Sequence, residues 1–480
     1  MVVAAALRLF ELTQQSMWFD EAWTHAFTTA PLARILSVSQ PIDTGNPPLY
    51  YAVLHVWTSI VGDGDWAFRL PSMVFGVLTV PVSYLLGREI GGRTLGLAVA
   101  GLTAVSPINI EHSQQARGYA LLALAATVAM WGLAHLLARR SEAESWIGSS
   151  LRGTQEERHG HRRSDLAWLA VVGGTAVAML THHTAVLLFG ALNLIVAIVW
   201  LLERRPRDRF FANWLIAMGG VLVLWAPWFP NFLLQSNSVY RDFWIVFPGP
   251  YDVAVAGKQL ISGWAPSALG VFSVFLAGLL SFLAFRSWRR EPRWIVFVVC
   301  LALAVPLGEL VVSLWRPIFR PQTWIWAAVP VSIAVARGAL VLPRRWISVA
   351  LGAMVVLSLS GYANHQLRYQ EPAWDEVAAR VESEGGGTND VVVATEPLIE
   401  PVMARYLGAT YFGDTDPPIV EVFDPSGLPE VVGDRDTVWM LCQSPCRATP
   451  LAVVEGLGPE WTQVDRFSLP RAEGWLFVRA

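Results

Sequence analysis

The chain has 480 residues, 54% of them hydrophobic and only 15% charged, with a formal net charge of −3 and a mean hydropathy of +0.43. A soluble domain carries about 25% charged residues, so this composition excludes an ordinary water-soluble protein and requires a membrane protein. Lys258 is the only lysine. Arginine replaces lysine throughout, as in a GC-rich genome, so arginine counts alone carry no functional weight.

Apolar runs of about 18 residues or more can cross a hydrocarbon core. By that measure about 11 spans are predicted, at 1–13, 67–86, 94–108, 118–138, 166–182, 184–202, 211–230, 267–286, 294–314, 323–340 and 344–362. The first is too short to span and is expected to be incomplete, its N-terminal part missing. The apolar stretch Pro48–Gly62 is 15 residues long, and its Tyr50, Tyr51 and Trp57 suit a re-entrant or interfacial helix at the headgroups. Residues 139–165 are polar and charged and read as a flexible cytoplasmic linker. His159 and His161 there are expected to be solvated rather than metal ligands.

From residue 363 onward the chain holds 19 acidic and 8 basic side chains, whereas the preceding part is net positive. Two domains are therefore expected: a membrane body, 1–362, whose outer loops 14–66 and 106–119 line a site, and a small soluble α/β domain, 363–480. In the latter, helices are predicted at Trp374–Glu384 and Pro397–Leu407. Strands are predicted at Val391–Thr395, Pro418–Phe423, Thr437–Leu441 and Trp475–Arg479. Its acidic balance argues against a nucleic-acid partner.

Membrane loops rich in arginine stay in the cytoplasm. Nineteen basic residues, in the 88–93, 139–163, 204–209, 286–293 and 337–345 connections, fall on one side if the spans alternate, against 7 on the other. The N-terminus is then cytoplasmic and the C-terminal domain extracytoplasmic. In that oxidising setting Cys442 and Cys446, four residues apart, suit a disulfide, and zinc would need more ligands than the pair offers. Cys300, inside an apolar run, reads as a buried small hydrophobe.

The outer loops carry the chemistry. The first holds Asp20-Glu21 between aromatics, and adjacent carboxylates beside a membrane are costly unless they meet water, a metal or a substrate. Asn46-Pro47-Pro48-Leu49-Tyr50-Tyr51 follows, and Arg69-Leu-Pro71-Ser72 opens a span. The second outer loop concentrates Glu111, His112, Gln114, Arg117 and Tyr119, more polar residues than a connecting turn needs. His182 and His183 lie at a third outer turn. Arg316 and Arg320 lie at another, where they could hold a phosphate.

In this order these motifs resemble the GT-C membrane glycosyltransferases, in the branch of protein O-mannosyltransferases and aminoarabinose transferases. The family pattern is an Asp-Glu pair, His/Asn-Pro-Pro-Leu-Tyr, Arg-x-Pro-Ser, Gly-Arg-x-x-Gly-Gly (here Gly87 to Gly92) and Ser-Pro…Ser-Gln-x-x-Arg-x-Tyr (here Ser106 to Tyr119). Two positions depart from it. Asn46 stands where relatives often have histidine, and Gln322-Thr323 where they often have an Arg-Tyr pair.

The resemblance implies an inverting transfer of a hexose or pentose from a polyprenyl-phosphate donor to an acceptor hydroxyl on protein, lipid or glycan, at the outer face of the plasma membrane. It makes Asp20 the general base and Glu21 its aid, or a ligand of a divalent cation if one is used. Arg117, Arg69 and Arg320 would receive the donor phosphate. Asn46, Tyr50, Tyr51, Glu111, His112, Gln114, Tyr119, His182 and His183 would line the substrate cavity. A transporter or flippase of lipid-linked sugars, or an inactive partner, is the competing reading. Transporters often show internal repeats and broken mid-membrane helices, and neither is visible here.

Overall fold

The structure is a computed structural model and describes residues 1–38, 46–139, 155–203, 209–242, 245–368, 371–384, 389–396, 399–408, 418–422, 428–444, 446 and 456–480. The expectations for residues 140–154 of the linker and for the side chains of His159 and His161 fall outside these. The chain forms two compact units, one of residues 1–10, 36–50 and 69–367, the other of residues 11–35, 51–68 and 368–480. The division differs from a single cut at 362: residues 11–35 and 51–68 belong with the C-terminal unit.

Among the described residues of the chain, nine helices are long and apolar enough to cross a membrane, from Asp65–Ala104 to Arg344–Arg368. The first is two helices in one, because Gly91 and Gly92 leave helical geometry and Gly92 takes a φ of +78°. That left-handed conformation is one glycine adopts without a Cβ penalty. The turn falls between the expected spans 67–86 and 94–108. A Cβ on Gly96 would lie 2.7 Å from the Tyr84 carbonyl oxygen, and one on Gly87 3.0 Å from the Gly96 Cα. The glycines of the Gly-Arg-x-x-Gly-Gly stretch thus serve the turn and the close approach of the two helices.

Some elements differ from expectation. The helix Gln155–Thr181 begins about ten residues before the predicted span, over Gln, Glu and Arg, which are good helix formers. Arg209–Trp225 passes through a 3₁₀ turn, Ala226–Trp228, into Phe229–Asp242, with prolines at 227 and 230. A helix at Pro250–Ser262, absent from the hydropathy pattern, starts where the Gly249 N–H donates to the Asp252 carboxylate at 2.7 Å.

Lipid tails are as apolar as leucine, so membrane helices associate through close packing of small residues. Tyr119–Ala138 and Gln155–Thr181 do this. A Cβ on Gly132 would lie 2.6 Å from the Ala167 carbonyl oxygen, and one on Gly174 2.7 Å from that of Ala125. The surrounding core gathers Leu122, Ala126, Met130, Trp168, Val171 and Leu192, with Trp294, Phe297 and Trp326 further on.

The second unit holds a five-stranded sheet in the order β2-β1-β3-β5-β4, with β1 Asp390–Ala394, β2 Ile419–Glu421, β3 Thr437–Gln443, β4 Trp461–Leu469 and β5 Ala472–Arg479. β1 pairs in parallel with β2 and β3, and β5 pairs antiparallel with β3 and β4. The period-2 alternation of strands separates two cores. Val391, Val393, Val438, Met440 and Phe477 face Leu428, Val432 and Trp461. Val392, Ala394, Trp439 and Leu441 face the helices Trp374–Glu384 and Glu400–Tyr406, and this second core takes in Ala22 and Phe19 from the first outer loop. Cys442 and Cys446 are disulfide-bonded, their Cα atoms 5.5 Å apart. β4 was not anticipated, because mostly exposed residues such as Thr462, Gln463 and Val464 give it no continuous apolar signal.

The helix contact gives a first prediction. Gly174→Leu should force the two helices apart at a cost of about 1–3 kcal/mol and lower the melting temperature in detergent. Gly173→Leu, whose Cβ meets nothing within 4 Å, should leave it unchanged.

Candidate active site

In the membrane unit, three of the sequence motifs meet through one hydroxyl. Tyr50 Oη and Ser72 Oγ lie 2.6 Å apart, and Ser72 also donates to the Arg117 carbonyl at 3.2 Å. Tyr50 and Ser72 are both buried, so this chain replaces the water that their hydroxyls would otherwise need. It ties the Pro-Pro-Leu-Tyr, Arg-x-Pro-Ser and Arg-x-Tyr stretches to one another. Gly118 is part of the same packing, since a Cβ there would meet Thr181 Cγ2 at 3.0 Å and Tyr50 Cβ at 3.5 Å.

Arg117 leads into a row of rings tilted against one another. His112 and Tyr119 have centroids 5.0 Å apart, and Tyr119 and His182 5.6 Å. Burial pushes the imidazole of His112 down to about 4, with the Arg117 charge lowering it further against a hydrogen bond to Gln115. Burial likewise pushes His182 down to about 3, helped by His183 and Arg117. His182 Nδ1 accepts the Thr184 backbone N–H at 3.2 Å, which leaves the proton on Nε2. His183 pairs with buried Gln235 and stacks beside Phe232 at 5.3 Å. The arrangement is one guanidinium bordered by neutral imidazoles: His112 donates its Nδ1–H to Gln115 Oε1 at 3.0 Å, and His182 carries its proton on Nε2, a donor that adds no charge.

Other predicted residues have different roles. Gln114 donates to the Phe10 carbonyl at 2.7 Å and accepts from Gln366 at 3.3 Å, fastening the Val2–Leu9 helix. Glu111 accepts the Trp264 indole N–H at 3.1 Å, and Trp264 stacks on His365 at 5.7 Å. Burial holds the Glu111 carboxyl above its ordinary value. Arg69 is buried, and Asn46 is half-buried just before the helix Leu49–Val61.

Two charged residues escaped the sequence reading. Arg8 is fully buried and donates from Nε to Ser113 Oγ at 3.2 Å and from Nη1 to the Ala4 and Ala104 carbonyls, both at 3.1 Å. Glu309 is also fully buried, in the Pro292–Ser313 helix. It accepts the Arg320 backbone N–H at 3.2 Å, the Trp324 indole N–H at 3.0 Å and the Thr323 hydroxyl. Glu309 therefore orders the turn that carries Arg320, with Thr323 as its hydrogen-bond partner where relatives often have tyrosine. A lone acid inside an apolar span was the available signal.

The acidic pair lies in the other unit. Asp20 and Glu21 occupy the first turn of the helix Phe19–Thr28, where carboxylates suit the positive end of the helix dipole. Asp20 is half-buried and Glu21 is 1% exposed. His25, one turn on, approaches Asp63 Oδ2 at 3.2 Å through Nε2. Burial, with the Arg405 charge, pushes His25 down to about 4. Asp63 is itself held below its ordinary value: burial opposes this, but the His25 hydrogen bond and Arg405 outweigh it. Tyr51 packs on Phe27, with ring centroids 5.4 Å apart.

As to a metal, Asp20 and Glu21 are consecutive on a helix and so point about 100° apart. Among the described residues no group of three or more His, Cys, Asp or Glu side chains could hold an ion. Two carboxylates alone are fewer ligands than a divalent cation takes.

Comparison with known proteins now bears on these features. A family profile described as dolichyl-phosphate-mannose-protein mannosyltransferase matches residues 45–152, the segment holding the Tyr50–Ser72–Arg117 chain. No curated protein sequence matches the chain. Among solved structures, ArnT from Cupriavidus metallidurans in the apo state superimposes with a TM-score of 0.64 at 14% identity, covering 99% of this chain and 96% of that one. The same protein bound to undecaprenyl phosphate gives 0.61 at 14% identity with the same coverage. The apo oligosaccharyltransferase of Archaeoglobus fulgidus gives 0.56 at 10% identity, over 92% of this chain and 68% of that one. At such identities the likeness is one of fold. The chain is a multi-span membrane protein with an ArnT-like fold, the GT-C architecture its motifs resemble.

The neutral histidines predict a pH dependence. An unfolded chain protonates its histidines below about pH 6.5, whereas the fold resists protonation of His112 and His182 until about 4 and 3. Their contribution to stability is present above the unfolded value and is lost as pH falls through this window. The melting temperature should drop from pH 7 to 4.5, and His182→Asn should flatten the drop. An unchanged slope in that variant would contradict the assignment.

Proposed function

We propose that the protein is a glycosyltransferase that moves a hexose or pentose from a polyprenyl-phosphate donor to an acceptor hydroxyl, inverting the anomeric carbon, at the outer face of the plasma membrane. The observation that carries this reading is the coincidence of five ordered GT-C motifs with an ArnT-like fold. The donor class is supported by undecaprenyl phosphate in one of the similar structures, where it is bound to ArnT. The orientation rests on the basic loops, which leave the N-terminus in the cytoplasm and the C-terminal domain outside.

In this reading Asp20 accepts the proton of the acceptor hydroxyl as the new C–O bond forms at the anomeric carbon. The bond from that carbon to the phosphate oxygen breaks, and the lipid phosphate leaves with the electron pair. Glu21, buried beside Asp20 in sequence, keeps the helix turn acidic and orients the acceptor. Arg117 takes the leaving phosphate, with Arg69 and Arg320 as further cations, since a fixed positive charge is worth more where water is scarce. Neutral His112 and His182 leave Arg117 as the charge of their cluster; His112 spends its Nδ1–H on the Gln115 carbonyl oxygen, and His182 offers its Nε2–H as a donor to phosphate or sugar. The acceptor belongs to the protein, lipid or glycan class.

The test is a transfer assay in nanodiscs with radiolabelled polyprenyl-phosphate sugars and membrane extract as acceptor. Asp20→Asn should lower transfer by about 10²–10⁴-fold, the usual worth of a general base, with expression and melting temperature unchanged. Arg117→Ala should weaken use of the donor more than Arg117→Lys does. Wild-type turnover in Asp20→Asn would remove Asp20 from the mechanism. Donor scrambling between leaflets without transfer in the wild type would replace the transferase reading with the transporter one.

A further inference from the structure

The helix that carries Asp20 and Glu21 is built into the C-terminal domain. Its Ala22 is 1% exposed and shares a core with Trp374, Val377, Val402 and Met403, with Phe19 and Tyr406 packed against it. Hydrogen bonds fix the segment just before the helix. The Met17 N–H donates to Tyr406 Oη at 2.7 Å, and Tyr406 Oη donates in turn to Asp65 Oδ2 at 2.9 Å. Ser16 donates to the Pro372 carbonyl, and the Glu371 N–H donates to Gln15 Oε1 at 3.3 Å. Arg405, beside Tyr406, donates to the Asp63 carbonyl at 2.7 Å and lies 3.5 Å from Asp65 Oδ1. Asp63 is also the partner of His25, which sits on the acidic helix itself.

We infer that Tyr406 and Arg405 are positioning residues for the acidic pair, and that the C-terminal domain is the framework on which the Asp20-Glu21 helix is ordered. This rests on the reading of that pair as the reacting carboxylates. The physical reason lies in the helix itself. Phe19–Thr28 is only ten residues long, and an isolated helix of fewer than about 12–15 residues is marginal in water. Its order must come from tertiary contacts: Tyr51, His55 and Phe68 meet its C-terminal half, and Trp374, Val377, Val402, Met403, Tyr406 and Asp63 meet the rest and the segment before it. Tyr406 is suited to the task because one hydroxyl both accepts from the residue before the helix N-cap and donates to a second segment. Burial, with Asp65 next in importance, pushes its phenol well above its ordinary value, so the proton needed for donation stays in place.

Hydrogen exchange and kinetics of the full-length protein in nanodiscs test this together. Tyr406→Phe keeps the ring in its core and removes only the hydroxyl. Amides of residues 17–28 should exchange roughly three- to tenfold faster, the scale expected of one lost hydrogen bond, with the exchange of the membrane helices unchanged. Transfer should lose at least about tenfold in kcat while KM for the lipid donor stays near wild type. Arg405→Ala should behave alike, and Arg405→Lys should recover part of the loss. Exchange at 17–28 equal to wild type in Tyr406→Phe overturns the inference, as does faster exchange with an undiminished kcat. If the wild-type protein transfers no sugar, the transferase reading fails, and the exchange result alone decides whether Tyr406 orders the helix.

Discussion

The Arg8 guanidinium sits where no water reaches it, holding Ser113 and the carbonyls of Ala4 and Ala104. A charge in low dielectric is costly unless fixed acceptors meet its donors. Here Nε and Nη1 find theirs on three separate stretches of the membrane unit, namely the first helix, the end of the Asp65–Ala104 segment and the loop that holds Ser113, while Nη2 meets no acceptor among the described residues. Ser113 is also fixed from the other side, through its own bond to the Asn109 carbonyl. Gly76 leaves the space, since a Cβ there would collide with Ser113 and approach Arg8 Nε at 3.0 Å. The loop that supplies His112, Arg117 and Tyr119 is therefore anchored from beneath.

The same constraint governs Glu309. An acid with no exposure survives because two N–H groups and a hydroxyl converge on it. In both places a buried charge fixes a turn that displays other charges, Arg117 in one case and Arg320 in the other. His112 and His182 follow the opposite course and shed their charge. The buried polar groups of the membrane unit thus divide between a few held charges and neutral imidazoles.

Much of this was legible in the sequence because hydropathy and motif order respond directly to the bilayer and to backbone geometry. The helix Trp374–Glu384 and the parallel strand at Asp390–Ala394 follow from clear periodicity and a tight turn. The motif residues Tyr50, Ser72 and Arg117 stand in one hydrogen-bonded chain, a contact that motif order alone does not specify. What escaped has physical causes. β4 has largely exposed side chains and so no apolar run. The Pro250–Ser262 helix has too mixed a face for a hydropathy window. Arg8 and Glu309 were visible as single charges in apolar stretches, but their value lies in partners about 100 residues away or across a turn, which no local pattern records. Gln114 reads as a cavity residue by its company, and its amide also holds the Phe10 carbonyl, a partner that no local pattern records.

The bond between Met17 and Tyr406 joins residues 389 positions apart. During synthesis residues 15–28 leave the ribosome long before the residues that complete their core. Trp374, Val402 and Tyr406 lie in that later segment, so the acidic helix gains these contacts only after residue 406 has been translated. A chain cut before residue 371 would carry the acidic segment without them. The ordering of this short helix thus waits on the length of its own message.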